Sequence, residues 1–217
     1  MKKRIISIFI IFALALTGCA AQGSVEEAPA EQSAETPEQA EEIASESSFT
    51  WETGEEDTAE HPVLKLDYEG GGREYAFTAE TLDGEAVDSA ELFARAKVTM
   101  LNIWGTYCYP CLMEMPDLGQ LARDYAGEDF QLIGVIVDAN DAGSDTVETA
   151  AGQIAETGAD YPHLLATDDV IKNVMFDVYA VPTTLFLDSE GKLICSAVVG
   201  SKAYETWAGA VDELLAR

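Results

Sequence analysis

The chain has 217 residues, of which 47% are hydrophobic and 24% carry a charge. This length and composition predict one ordinary folded domain with appendages rather than two full domains. Forty acidic residues outnumber 12 lysines and arginines, which gives a formal net charge of −28. Because nucleic acids bind to cationic surfaces, a nucleic-acid partner is not expected.

The first 18 residues have the arrangement of basic and apolar segments that is typical of a secretory signal peptide. Basic residues at 2–4 precede an apolar run at 5–16, which is shorter than the roughly 20 residues that a spanning helix needs. The run closes on residues 16–19, Leu-Thr-Gly-Cys, which resemble the lipobox of bacterial lipoproteins. That resemblance implies cleavage before Cys19 and lipidation of Cys19. An ordinary secreted protein is the alternative.

Residues 19–63 have the composition of a disordered acidic linker. Thirteen acids lie between Glu26 and Glu60, in a stretch with no lysine or arginine. Such a segment buries too little apolar surface to offset the entropy of ordering it. It is predicted either to hold the domain away from a membrane or to have no specific role.

The remaining domain, residues 64–217, has an α/β pattern and keeps 27 acids against 9 bases, a net charge of −18. Residues 98–104 and 130–137 are short apolar runs typical of buried strands. Helices are predicted at 113–125 and 146–157, one after each strand. This alternation indicates parallel βαβ units.

The last third of the domain predicts a hairpin and a terminal helix. Runs at 183–187 and 193–199 are rich in β-forming residues, and the turn sequence Asp-Ser-Glu-Gly separates them. Residues 203–215 have helical periodicity, with Trp207 expected in the core. Parallel strands followed by a hairpin predict a mixed sheet.

Cys108 and Cys111 form a Cys-x-x-Cys motif where the first strand leads into a helix. Free N–H groups and the dipole at a helix start stabilise a thiolate, so Cys108 is the expected nucleophile. Cys111 lies one turn later and is placed to resolve a mixed disulfide. Pro110 suits a first helical turn, and Tyr109 and Pro110 together are expected to tune the redox potential.

Two structural roles for the cysteine pair remain as alternatives. A zinc site needs four ligands, and Cys19, Cys195, His61 and His163 are poorly placed to complete one. A permanent structural disulfide is possible, although so short a loop gains little stability. Cys195 lies in an alternating strand pattern and is expected to be buried and inert.

Three segments together resemble the TlpA/ResA-like thioredoxin family over roughly residues 77–217. They are Trp-Gly-Thr-Tyr-Cys-Tyr-Pro-Cys at 104–111, Glu-Met-Pro at 114–116 and Val-Pro-Thr at 181–183. The resemblance implies a thioredoxin-like fold, in which helices flank a central mixed β-sheet. It also implies a TlpA/ResA-type central insertion at 146–178.

The resemblance assigns roles residue by residue. Cys108 is the attacking thiol, Cys111 the resolving thiol, and Pro182 a cis-proline facing the disulfide. Glu114 matches an acid that acts on the thiols or relays protons, although a solvated surface glutamate at a helix start is the alternative. The residues expected to contact substrate are Trp104, Tyr107, Tyr109, Pro110 and Val181.

The function implied is reduction of client disulfides on the outer face of a bacterial cytoplasmic membrane. By resemblance, the clients include apocytochrome c and methionine sulfoxide reductases, and the electron donor is a membrane protein of the CcdA type. A monomer is expected, with no metal and no cofactor beyond the disulfide. A peroxiredoxin-like peroxidase is an alternative, but the residues before Cys108 lack the Pro-x-x-x-Thr-x-x-Cys motif. A non-catalytic binding lipoprotein is the other alternative.

Overall fold

The computed structural model describes residues 63–217, apart from the side chain of Asp177, and the signal peptide, Cys19 and the linker up to residue 62 lie outside this range. In the described range no helix is both long enough and apolar enough to span a membrane. The strands are β1 (Thr78–Glu80), β2 (Ala86–Asp88), β3 (Val98–Trp104), β4 (Phe130–Ile136), β5 (His163–Leu165), β6 (Thr183–Asp188) and β7 (Val198–Val199). The helices are α1 (Ser89–Phe93), α2 (Tyr109–Asp124), α3 (Asp145–Thr157), α4 (Asp168–Asn173) and α5 (Tyr204–Leu215).

The central sheet has the order β5-β4-β3-β6-β7. Strands β3, β4 and β5 run parallel, whereas β6 is antiparallel to β3 and to β7. The prediction of a mixed sheet flanked by helices is therefore confirmed. A separate two-stranded antiparallel sheet joins β1 and β2. The region predicted as a central insertion contains α3, β5 and α4.

Strand β3 is the central strand, and its seven residues are all buried. Alternate side chains of a strand point to opposite faces, so β3 contributes to two hydrophobic layers. Met100 and Trp104 belong to the layer that contains Cys108, Cys111 and α5 residues, whereas Leu101 and Ile103 belong to the layer with α1 and α4 residues. The Cys-x-x-Cys motif begins four residues after the end of this fully buried strand.

Helix α2 begins four residues before its predicted start at residue 113. Cys108 caps the helix with extended backbone angles, and Pro110 lies in the first turn, where a missing N–H breaks no helical hydrogen bond. The Cys-x-x-Cys motif and Pro110 predict a helix start at Cys108, in agreement with the structure, whereas the helical pattern alone predicts the helix only from residue 113.

The second hairpin strand is much shorter than the predicted run at 193–199. Only Val198–Val199 pairs with β6, apart from an isolated bridge between Leu187 and Leu193. Between these two contacts, the N–H of Ser196 donates to the carbonyl of Asp67 at 2.7 Å. Leu193, which still bridges Leu187, donates its N–H on its other edge to the carbonyl of Arg73 at 2.7 Å. At Ser196 a preceding chain segment therefore replaces the expected strand partner.

Candidate active site

The redox motif lies at the junction of β3 and α2. Strand β3 ends at Trp104, a short loop of residues 105–107 follows, and Cys108 caps α2. We call residues 105–107 the redox loop. Because the strand is buried and the helix starts immediately after the loop, the first cysteine is held at the helix N-terminus.

Cys108 and Cys111 form a disulfide whose Cα atoms are 5.3 Å apart. Cys108 exposes 5% of its surface and Cys111 exposes 1%. The sulfur of Cys108 accepts a hydrogen bond from the N–H of Cys111 at 3.3 Å. An incoming sulfur therefore meets Cys108 first, and a thiolate there is stabilised by this N–H and by the dipole of a 16-residue helix.

Glu114 is buried three residues beyond Cys111, on the same face of α2. Its Oε1 accepts hydrogen bonds from the backbone N–H of Lys202 at 2.8 Å and from the indole N–H of Trp207 at 2.7 Å. Its Oε2 has no partner in the described part of the chain. Burial raises the pKa of the Glu114 carboxyl, and the hydrogen bonds offset part of that increase.

With 3% of its surface exposed, Glu114 is not the solvated acid of the alternative interpretation. A carboxyl with a raised pKa exchanges protons closer to neutral pH than an ordinary glutamate. Asn102, in β3, is also buried, and its amide donates to Oγ1 of Thr184 at 3.1 Å. Glu114 is thus the titratable group that α2 places on the same helical face as Cys111.

Two polar side chains, one that follows β4 and one in α3, hold the redox loop. Asp138 accepts hydrogen bonds from both the backbone N–H, at 3.0 Å, and the hydroxyl of Thr106. The amide of Gln153 donates to the carbonyl of Thr106 at 3.0 Å. The loop is therefore held through the N–H, the hydroxyl and the carbonyl of Thr106.

Trp104 lies beneath the redox loop and has no exposed surface. Its indole N–H donates to Nδ1 of His163 at 3.2 Å, and Nε2 of His163 contacts the carbonyl of Ala159 at 3.1 Å. The prediction that Trp104 contacts substrate is corrected by this burial, because the side chain is enclosed between the sheet and its helices.

Most of the other residues expected to contact substrate are exposed next to the cysteines in the chain. Tyr107 and Tyr109 expose 70% and 71% of their surfaces, and Pro110 is also exposed. Val181 is half-buried and Pro182 is buried, with a cis peptide bond between them. Tyr107 and Val181 line one cavity, which brings the redox loop and the segment before β6 together.

Two roles were not indicated by the sequence. Trp207 was expected only as a core residue, yet its N–H fixes the Glu114 carboxyl. The sequence indicates His163 only as a poorly placed zinc ligand, yet Nδ1 of His163 accepts a hydrogen bond from Trp104. Helical periodicity marked Trp207 as buried, but a one-dimensional pattern does not show which polar atom an indole N–H meets.

Cys195 is buried and free, consistent with the expected inert thiol. Burial, with smaller contributions from Glu213 and Asp67, raises the pKa of its thiol to about 11. A thiol with so high a pKa is almost entirely protonated at neutral pH and is therefore a weak nucleophile.

The sheet order and the disulfide at the start of the helix after the central strand place this protein among thioredoxin-like proteins that carry a cysteine pair at a helix start. The chain belongs to the AhpC/TSA family, whose model matches residues 72–196. It is similar to the thiol-disulfide oxidoreductase ResA of Bacillus subtilis (strain 168), with 30% identity over 118 residues, which cover 54% of this chain and 61% of ResA. The matched segment is thus less than two thirds of that relative.

One further relative and one solved structure are similar to this chain. The thiol:disulfide interchange protein HelX of Rhodobacter capsulatus is 28% identical over 141 residues, covering 65% of this chain and 74% of HelX. The crystal structure of a thioredoxin-family thiol:disulfide interchange protein from Chlorobium tepidum TLS aligns with a TM-score of 0.55 and 24% identity. It covers 70% of this chain and 98% of that one. The structural likeness supports the fold.

Proposed function

We propose that this protein is a thiol–disulfide oxidoreductase that reduces disulfides of client proteins through Cys108. The observation that carries the proposal is the Cys108–Cys111 disulfide at the N-terminus of α2, with Cys108 the more exposed cysteine. The family membership and the thiol–disulfide exchange relatives support the same chemistry.

The first step is attack on the client. The Cys108 thiolate attacks one sulfur of the client disulfide, forming a mixed disulfide and releasing the other client sulfur as a thiolate. The N–H of Cys111 and the α2 dipole stabilise the Cys108 thiolate before attack, which raises its population at neutral pH.

The second step resolves the mixed disulfide. Cys111 loses its proton and attacks the Cys108 sulfur, which forms the Cys108–Cys111 bond and releases the second client thiolate. Two electrons have then passed from the dithiol to the client. Glu114 is the buried carboxyl on the Cys111 face, and it serves as the acceptor of the Cys111 proton.

The sequence supports an extracytoplasmic, membrane-anchored setting for this reaction. The signal-like residues 1–18 precede Cys19, and the acidic residues 19–63 separate Cys19 from the domain. A membrane thiol donor of the CcdA type returns electrons to the oxidised pair. Apocytochrome c and methionine sulfoxide reductases are the first clients to test.

Reduction of insulin disulfides by the purified protein tests the proposed chemistry. Cys108→Ser is expected to abolish turnover, whereas the matched control Cys195→Ser keeps it, because Cys195 is buried and protonated. Full activity in the Cys108 variant would disprove the mechanism. Turnover with hydrogen peroxide but not with insulin would favour the peroxidase alternative.

Membrane fractionation tests the proposed anchor. Cys19→Ala is expected to move the protein into the soluble fraction with its insulin-reducing activity intact, because the anchor and the redox pair are far apart in sequence. A variant that stays with salt-washed membranes would contradict lipid attachment at Cys19.

A further inference from the structure

The turn after β7 is held by the side chain of one lysine. The Lys202 ammonium donates to the carbonyls of Val199 at 3.0 Å, Gly200 at 2.7 Å and Ser201 at 3.3 Å. Gly200 has a φ of 84°, a left-handed conformation that glycine adopts without steric cost. We call residues 199–202 the lysine turn. Its shape depends on the side chain at its last position.

The lysine turn contacts both the buried carboxyl and the cis-proline segment. The backbone N–H of Lys202 donates to Oε1 of Glu114 at 2.8 Å. The backbone N–H of Gly200 donates to the carbonyl of Pro182, which follows the cis peptide bond, at 2.9 Å. Two N–H groups of one turn therefore reach two parts of the candidate active site.

Peptide planarity links the ammonium to these two donors. The carbonyl of Val199 and the N–H of Gly200 belong to one planar peptide group, and the carbonyl of Ser201 and the N–H of Lys202 belong to another. Because the ammonium holds both carbonyls, it fixes the direction in which both N–H groups point. The Lys202 side chain thus positions the backbone donor from which Glu114 accepts.

Lys202 also acts on Glu114 through its charge. Burial raises the pKa of Glu114, whereas the N–H of Lys202, the N–H of Trp207, the charge of Lys202 and Asn102 lower it, in decreasing order. The three carbonyls that hold the ammonium have no net charge, so they do not neutralise it. Lys202 thus opposes the effect of burial twice, once through its backbone and once through its side chain.

The other titratable groups around the Glu114 carboxyl do not supply a positive charge. Burial, followed by the charge of the carboxyl itself, raises the pKa of Tyr161, which therefore stays protonated and neutral. Burial lowers the pKa of His163 to about 4, so its ring is neutral at pH 7. On α2, Asp117 is itself an acid and accepts a hydrogen bond from the backbone at the start of α5. Within the described part of the chain, Lys202 is the cation that lowers the pKa of this carboxyl.

We propose that Lys202 is a positioning residue for the resolving step, because it aims a backbone N–H at Glu114 and its charge keeps that carboxyl ionised until the Cys111 proton arrives. This inference rests on the proposed function, in which the Cys111 thiol gives its proton to the Glu114 carboxylate and attacks the mixed disulfide as a thiolate. A carboxyl that is already protonated does not accept a proton, so the resolving step slows when Lys202 is lost.

The test is a titration of the Glu114 side-chain carboxyl by 13C NMR in the oxidised protein, in which neither thiol of the pair titrates beside it. The signal is assigned by its absence from Glu114→Gln. Lys202→Met should move the midpoint of this titration upward by at least about 0.5 pH unit, because a cation and the orientation of an N–H donor are both lost. Lys202→Arg, which retains the charge and the donors, should keep the midpoint close to that of the wild-type protein.

Two further variants complete the comparison. Lys202→Gln keeps a donor for the turn carbonyls without the charge, and it should also move the midpoint upward. Lys172→Met is the matched control, because Lys172 is an exposed lysine in the last turn of α4, and it should titrate like the wild-type protein. The pH at which insulin turnover is half-maximal should move with the midpoint in each variant.

An unchanged midpoint in both Lys202→Met and Lys202→Gln, or an equally large shift in Lys202→Arg, would overturn the inference. The absence of insulin reduction by the wild-type protein would instead disprove the proposed function, because the titration of Glu114 does not depend on a client.

Discussion

Glu114 places a carboxyl inside the protein on the helical face of Cys111. One oxygen accepts two hydrogen bonds, the other has no partner in the described range, and burial raises the pKa of the group. Substitution by Gln keeps the shape and the accepting oxygen but removes the charge and the proton-accepting capacity. The variant therefore separates the electrostatic role from packing.

In Glu114→Gln we expect the apparent pKa of the cysteine thiols to fall, because a nearby negative charge disfavours a thiolate. Insulin turnover should fall by about 10- to 100-fold, since the variant lacks an acceptor for the Cys111 proton. Iodoacetamide titration and turnover assays measure the two effects. Superimposable titration curves with equal turnover would show that Glu114 has no part in the chemistry.

His163 should make stability depend on pH in the acid range. Burial lowers its pKa from 6.5 to about 4, so its contribution to stability is present above pH 6.5 and is lost as the pH falls through about 4. His163→Gln does not titrate and should lose about 2–3 kcal/mol less between pH 7 and pH 4.5 than the wild-type protein. Urea unfolding at both values measures this difference, and equal losses would contradict the assigned shift.

At the scale of elements, the redox loop is positioned by the residues that follow β4 and by α3, as well as by α2 itself. Asp138 follows β4 and accepts two hydrogen bonds from Thr106, and Gln153 of α3 donates a third to the same residue. Because Cys108 comes two residues after Thr106, these contacts fix the approach of the chain to the helix start.

Asp138→Ala should therefore lower insulin turnover and speed amide hydrogen exchange at Thr106, with a stability loss of about 1–3 kcal/mol for the unpaired groups. Asp138→Asn should restore part of the activity, because its amide oxygen accepts from the Thr106 N–H. Asp141→Ala, an exposed acid in the same connection, is the control and should behave like the wild-type protein. Normal exchange at Thr106 in Asp138→Ala would refute this positioning role.

Elements with a local signal were predicted well from the sequence. Strand β3 is found at its predicted residues and β4 ends one residue early, because a buried strand shows its apolar run directly. Strand β7 is shorter than predicted, because the backbone N–H of Ser196 donates to the carbonyl of Asp67 instead of to β6. This hydrogen bond joins positions more than 100 residues apart, and a local pattern does not contain it.

The candidate site could also be predicted only in part from the sequence. Cys108 and Cys111 were identified because their spacing and their place at a helix start are visible in the chain. The contacts that tune them come from distant segments: Trp207 reaches Glu114 from α5, and His163 reaches Trp104 from β5. Only the assembled sheet and helices bring these residues to the redox motif.

For the molecule as a whole, trapping of a mixed disulfide is the most direct test of the central claim that Cys108 exchanges disulfides with clients. In Cys111→Ser the resolving thiol is missing, so one sulfur of the cleaved client disulfide should remain bonded to the Cys108 sulfur. Mass spectrometry of the adduct should locate the client on Cys108, and a reductant should release it. An adduct on Cys195, or an equal yield of adduct on Cys111 in the Cys108→Ser variant, would contradict the account.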